Sequence, residues 1–430
     1  MSTTMATIRL PIEEFRLDNG LRVIIAPDPA RPIVAVNLWY DVGSRNERPG
    51  RTGFAHLFEH MMFQGSEHVP DNGHFSLIER AGGSLNGSTW LDRTNYYETL
   101  PAHYLDLGLW LEADRMGWLL PAMTQAKLDN QRDVVKNERR WRVDNQPYGD
   151  WDERLQAMVY PEDHPYHHSV IGSMEDLDAA SLKDVEQFFR TFYAPNNAVL
   201  TVAGDVDPKL AEARVRRFFE EIPSGPVVPP IPGRTDPGER LGTVREVVRQ
   251  DISLARVYVA FRIPPYGDDD FYAAAVAAHV LAWGRASRLY LSLVRRQELA
   301  QDVVAYAFPI VVGRGMLVSW ATARPDVDPA ALEAALNEEL ASCREIGDED
   351  VARALTLLEA RHLADLQRVD ERADLLSMYT TLFDDPERIN TEIDRIRAVD
   401  TAAVRAFAER CLRKDNRATL VYLPQADGAG

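Results

Sequence analysis

The sequence predicts an α+β protein built from two homologous domains, and three observations predict it. The chain has 430 residues, more than one hydrophobic core comfortably serves, so two domains of about 200 residues are expected. Between Phe218 and Arg240 it runs through Ile222-Pro-Ser-Gly-Pro-Val-Val-Pro-Pro-Ile-Pro-Gly and then Asp236-Pro-Gly. So dense a run of Pro and Gly continues neither a helix nor a central strand, and reads as an extended linker. The flanking halves repeat each other. Ser173–Asp205 aligns without a gap onto Glu392–Pro424 at an offset of 219, matching Ala179 with Ala398, Val185 with Val404, Phe188 with Phe407, Asn197 with Asn416 and Val202 with Val421. The expected domains are 1–223 and 241–430, joined by 224–240, and related by internal duplication.

Taken in order, Asn19-Gly20 predicts a hairpin turn ahead of an apolar strand at Ile33–Val42, with a helix following around His56–His60. Leu128–Asp144 is polar and helix-compatible, with Val134 and Val135 as its apolar patch. Ser181 and Asp400 are equivalent by the offset, and although they differ, both favour a helix N-cap. Each opens a helix, then an Asn-containing turn (Asn196-Asn197 or Asp415-Asn416), then a strand at Ala198–Ala203 or Ala418–Tyr422. In the second half the apolar strand recurs at Leu254–Ile263 and the helix at Ala275–His279.

With 48 Lys and Arg against 66 Asp and Glu, the net charge is -18. That balance argues against a nucleic-acid binder, whose footprint is a basic excess, and favours attraction of basic peptides. Cys343 and Cys411 are the only cysteines; two thiols make no disulfide framework and read as small buried side chains. Met1–Glu14 has no apolar core of signal-peptide length, and no run elsewhere approaches a membrane span, so a cytoplasmic location is expected.

The chemistry concentrates in His56-Leu-Phe-Glu59-His60. On a helix, His56 and His60 at i and i+4 project from one face and can hold one ion, with Glu59 near enough to take a proton from water at the metal. This is the inverted order of the HExxH metalloprotease motif. The duplicated counterpart, Ala275-Val-Ala-Ala-His279, keeps only the last imidazole, so the polar cluster is not required to form the helix. Two histidines leave zinc short of its usual three protein ligands. Leu128–Asp144 offers Glu138, beside Gln131, Arg139 and Arg140, but spacing alone does not choose Glu138 over Glu112 or Glu153. His164-Pro-Tyr-His167-His168 imitates a second metal cluster, but its proline break and acidic setting read as a loop. His68 and His74 lie close to the motif without being needed by it, Arg285, Arg288 and Arg296 read as a solvated helix face, and Trp110 and Trp118 read as core.

Four blocks carry a family resemblance: His56-Leu-Phe-Glu-His-Met-Met-Phe-Gln-Gly65; Gly82-Gly-Ser-Leu-Asn-Gly-Ser-Thr89 running into Thr94-Asn-Tyr-Tyr97; Gln131-Arg-Asp-Val-Val-Lys-Asn-Glu138; and Pro195-Asn-Asn197 before Gly204-Asp205. In content and order, over nearly the whole chain, they resemble the inverzincin metallopeptidase family of pitrilysin, insulin-degrading enzyme and the mitochondrial processing peptidases. The resemblance implies that each domain is a mainly antiparallel sheet backed by helices. It implies one zinc ion per chain held by His56, His60 and Glu138, with Glu59 as general base. It also implies a sheet edge at Gly82–Thr89 that takes the substrate as an added strand, with Asn86, Gly87 and Thr89 nearest the scissile bond. The implied function is zinc endopeptidase action on peptides or small unfolded proteins, inside a chamber enclosed by four such domains. A non-catalytic structural or assembly subunit is the alternative, and a broken His-x-x-Glu-His would be its sign; here the motif is intact.

Two positions depart from the family pattern. Gln131 stands where many active members carry a glutamate, seven residues before the ligand glutamate; a neutral amide still hydrogen-bonds there but adds no charge. In the second half Arg295 keeps a substrate-contacting arginine, but Gln301 falls where a tyrosine is expected, in a segment one residue shorter. Losing one donor to a developing oxyanion costs roughly 10²–10³ in rate. The chain is therefore expected to be the zinc-bearing half of a pair, its half-length homologous partner carrying the Arg/Tyr pair, with a homodimer as the competing arrangement.

Overall fold

A computed structural model of the chain describes residues 9–425. Residues 1–8, which carry part of the reading of Met1–Glu14, and 426–430 lie outside the described residues. The first half forms β1 (Glu13–Arg16), β2 (Arg22–Pro27), β3 (Ile33–Tyr40), α1 (Phe54–Met61), α2 (Gly73–Arg80), β4 (Ser84–Thr89) and β5 (Thr94–Pro101). It continues through α3 (Leu105–Trp118), α4 (Gln125–Arg139), α5 (Trp151–Val159), α6 (Met174–Asp178), α7 (Leu182–Phe192), β6 (Ala198–Gly204) and α8 (Pro208–Phe219). The second half forms β7 (Gly242–Gln250), β8 (Arg256–Ile263), α9 (Asp269–Ala282), β9 (Ala300–Phe308), β10 (Gly315–Ala323) and α10 (Pro329–Ala341). It ends with α11 (Asp348–Gln367), α12 (Val369–Phe383), α13 (Glu392–Arg397), α14 (Thr401–Cys411) and β11 (Asn416–Pro424). Between α8 and β7 no regular structure forms, as the proline density requires.

The first compact unit comprises Met1–Asn137, Val170–Ile231 and Leu363–Glu392. Its six strands run in the order β1-β2-β6-β3-β5-β4, with β2 and β6 parallel and every other neighbour antiparallel. β1 and β2 form the hairpin expected at Asn19-Gly20, where Gly20 takes φ 94°, a backbone conformation open to glycine. β3 is buried along almost its whole length because both of its faces are covered. Val36 meets α3 at Gly108, while Trp39 on the opposite face donates its indole N–H to Asp374 of α12 at 2.8 Å.

The second unit comprises Glu138–Ser169, Pro232–His362 and Ile393–Gly430. Its sheet runs β7-β11-β8-β10-β9, with β7 and β11 parallel and the rest antiparallel. Strand for strand this is the first sheet without β1: an α+β fold repeated, as the offset of 219 predicts. Even the local braces recur. Ser181 caps α7 by accepting from the Asp184 amide at 3.2 Å, and Asp400 caps α14 by accepting from the Ala403 amide at 2.8 Å. Asn197 donates to the carbonyl of Phe192 at the end of α7, and Asn416 donates to that of Cys411 at the end of α14, both at 2.9 Å.

Each unit also holds a segment from the far side of the linker, and in this the compact units differ from the linear halves 1–223 and 241–430. Helix α12 packs on β3 and β6 of the first sheet, where Ser377 and Thr201 share a 2.8 Å hydrogen bond. Helix α5 packs on β8 and β11 of the second, where Trp151 stacks on Tyr258 with ring centroids 5.2 Å apart. Sheet faces carrying Trp39 or Tyr258 need apolar cover, and these helices supply it. Both cysteines are buried thiols, and Trp110 and Trp118 pack against the first core. No helix among the described residues is long and apolar enough to cross a membrane.

Candidate metal centre

Helix α1 is eight residues long and two-faced. Phe54, Ala55, Leu57, Phe58 and Met61 are buried, which leaves His56, Glu59 and His60 on the partly exposed side. Its N-terminus is set by two constraints. Gly53 adopts φ 82°, and a Cβ there would come within 2.5 Å of the Ile171 carbonyl oxygen, so only glycine fits. Buried Glu47 then accepts hydrogen bonds from the amides of Gly53 at 2.9 Å and Ala55 at 2.7 Å. A carboxylate satisfying amides at a helix start also complements the helix dipole. Motif spacing pointed to α1 and gave no hint of Glu47, whose reach depends on the intervening loop.

His56 and His60 face each other with ring centroids 4.8 Å apart and planes at 81°. The third group arrives on α4, whose buried stripe is Leu128, Gln131 and Val135. Glu138 lies one turn beyond Val135, and although the compact units part after Asn137, the helix is continuous through that point. One ligand atom from each of His56, His60 and Glu138 lies within 4.8 Å of the other two. Tetrahedral zinc with bonds near 2.1 Å separates its ligand atoms by roughly 3.4 Å, so modest side-chain rotation closes this set on an ion. Two imidazoles and one carboxylate suit zinc and leave a fourth position open. Glu138 also pairs with Arg142 at 2.8 Å. The competing acids are engaged elsewhere: Glu112 is buried against the Arg115 guanidinium, and Glu153 pairs with Arg139 at 3.0 Å. No other trio of His, Cys, Asp and Glu among the described residues comes together this way. His164 bonds the backbone carbonyl of Thr235 at 3.3 Å and His167 that of Tyr160 at 2.8 Å, His68 pairs with Asp114 at 2.6 Å, and His74 is buried.

Glu59 does not point at random. The Thr89 hydroxyl donates to Glu59 Oε2 at 2.6 Å. Thr89 ends β4, which pairs with β5 and forms the outer strand of its sheet. Asn86 is exposed on β4, while Gly87 is buried where a Cβ would press on the rings of Phe63 at 3.0 Å and Tyr96 at 3.1 Å. So of the three residues expected nearest substrate, Asn86 faces solvent, Gly87 makes room for the core, and Thr89 holds the carboxylate. Gln131 is buried on α4. Arg295 is exposed in a π-helical turn, Tyr290–Arg296, before β9, and Gln301 is exposed on β9 itself.

The family profile described as Insulinase (Peptidase family M16) matches residues 22–164, and the one described as Peptidase M16 inactive domain matches 179–358. An uncharacterized zinc protease of Mycobacterium leprae is 31% identical over 72% of this chain and 68% of its own. The chain belongs to peptidase family M16. Other relatives include the zinc protease PqqE of Helicobacter pylori, 29% identical over 85% of this chain and 83% of its own. A probable mitochondrial-processing peptidase subunit beta of Arabidopsis thaliana is 25% identical over 92% of this chain and 75% of its own. Among solved structures, that of a protease from Helicobacter pylori superposes with a TM-score of 0.91 at 26% identity, covering 97% of this chain and all of the other. The M16 profile of the first half spans the His/His/Glu cluster, and the inactive-domain profile spans its degenerate counterpart at Ala275–His279.

Proposed function

We propose that the protein is a zinc-dependent endopeptidase, or the zinc-bearing subunit of one, acting on peptides or small unfolded proteins. One observation carries the reading: His56, His60 and Glu138 converge while Glu59, on the same turn, is held by the end of an open sheet edge. Bound zinc would supply Lewis acidity, polarising a peptide carbonyl and acidifying water near neutral pH. The protein's own groups do the rest. β4 offers unpaired backbone amides and carbonyls to an extended peptide, which fixes its direction with little regard to sequence. Glu59 accepts a proton from the attacking water and returns it to the departing amine. The Thr89 hydroxyl keeps Glu59 in one orientation, and Glu47 holds the start of α1 so that both histidines stay in place. Arg295 remains the proposed substrate contact of the second half.

The relatives' names support zinc peptidase chemistry, and one of them is named as a subunit. With Gln301 at the expected tyrosine position, the pairing proposed is with a homologous chain of similar length that completes the site and the chamber. Glu59→Gln should keep stoichiometric zinc and abolish turnover, while His60→Ala should lose both. Cleavage retained by a zinc-loaded Glu59→Gln protein would remove Glu59 from the role of general base.

A further inference from the structure

We infer that Asp374, more than 300 residues from the metal-binding turn in sequence, is a positioning residue for Glu59, acting through Asn95, Arg93 and the end of β4. The inference rests on the reading of Glu59 as general base. All the groups involved belong to the first compact unit. Asp374 Oδ1 on α12 accepts from Asn95 Nδ2 at 2.8 Å, Trp39 Nε1 at 2.8 Å and Asn37 Nδ2 at 3.3 Å, so one carboxylate ties down neighbouring strands β3 and β5. Asn95, with its amide nitrogen thus committed, turns its oxygen toward β4. There it accepts from the Ser88 hydroxyl at 2.7 Å and from Arg93 at 3.1 Å. Arg93 stacks over the Trp39 ring at 5.4 Å and donates to the Ser88 backbone carbonyl at 2.7 Å. That carbonyl belongs to the peptide bond leading into Thr89, whose hydroxyl holds Glu59 Oε2 at 2.6 Å.

The chemistry makes the chain directional. An aspartate accepts only, so it forces the Asn95 amide to present its oxygen to β4. An asparagine at 374 could present its own NH₂, allow Asn95 to turn over, and leave Arg93 and Ser88 facing a donor. The Arg93 guanidinium also interacts electrostatically with the carboxylates of both Asp374 and Glu59. Positioning of a base matters because proton transfer needs heavy-atom distances of hydrogen-bond length, and partners that orient a reacting group typically carry 10–100-fold in activity.

The test uses the zinc-loaded protein, in the assembly in which the wild type cleaves, with Thr89→Val, Thr89→Ser and Asp374→Asn. Thr89→Val is expected to lower kcat on the order of 10–100-fold with KM within about threefold and zinc content unchanged, and Thr89→Ser to restore most of the rate. Asp374→Asn should reproduce the kcat-selective loss at about 10-fold. Independently of turnover, amide hydrogen exchange across Ser84–Asn95 should quicken in Asp374→Asn while that of α1 does not. Wild-type kcat in Thr89→Val or Asp374→Asn, lost zinc, a change confined to KM, or unaltered exchange at Ser84–Asn95 would each overturn the inference. Turnover by Glu59→Gln would instead defeat the general-base reading itself, whereas an inactive Glu59→Gln beside a fully active Thr89→Val defeats only the positioning role.

Discussion

His56 and His60 are four residues apart, and in α1 that spacing leaves both imidazoles outside the face occupied by Phe54, Leu57, Phe58 and Met61. Helical period alone decides this much, which is why the pair is legible in sequence. Glu138 is different: spacing left it equivalent to Glu112 and Glu153, the family block singled it out, and the course of α4 brings it to the two imidazoles. Another histidine near the motif shows what burial does. His74 on α2 is 1% exposed, and desolvation first, then the nearby Arg115 charge, holds its pKa down from 6.5 to about 3. Folding therefore favours the neutral ring. The unfolded chain takes up this proton near pH 6.5 and the native protein only near 3, so stability is full above 6.5 and falls as pH drops through that window. At pH 5 the loss is about 2 kcal/mol. Urea midpoints at pH 7 and pH 5 should therefore converge in His74→Leu relative to wild type. An unchanged gap would show that other groups control acid lability.

At the scale of elements, α1 is short for a helix that presents two candidate metal ligands, and an eight-residue helix is marginal without tertiary support. Glu47 provides that support at its N-terminus. Glu47→Ala leaves two buried amides without their acceptor and should cost about 2 kcal/mol of stability. Because the same turn carries His56 and His60, zinc affinity should fall as well, by about tenfold or more; chelator competition measures it, and wild-type affinity would mean that α1 needs no brace. The strands and caps were the most readable elements. The apolar runs at Ile33–Val42 and Leu254–Ile263 became β3 and β8, and Ser181 and Asp400 became N-caps, because each signal is local. The role of β4 was less readable. The resemblance places Thr89 beside the substrate, and the structure adds that its hydroxyl bonds Glu59, a contact between residues 30 apart that no local pattern encodes.

At the scale of the whole molecule, duplication yields two sheets of matching strand order, yet among the described residues a full set of candidate ligand side chains gathers only at His56, His60 and Glu138, and not at the repeated copy of the motif. On the proposed reading, with the base and ligands in one chain but Gln301 at the expected tyrosine position, the chain should cleave poorly alone. Adding a half-length homologue that carries an Arg/Tyr pair should raise kcat/KM by roughly 10²–10³. Full specific activity from the rigorously purified single chain, unchanged by any homologue, would contradict the pairing. The sequence by itself determined the repeat, the linker and the two-imidazole turn, because composition, a constant offset and a helical period are properties of neighbours along the chain. The family block already named Glu138 as the third ligand, and the tertiary structure brought it within reach of His56 and His60; only the tertiary structure decided that Glu47 and Thr89 hold the turn and its proposed base, and that α12 and α5 cross the linker to cover their sheets. Those outcomes depend on contacts between residues tens to hundreds apart, where burial and hydrogen-bond satisfaction, not local pattern, choose the partner.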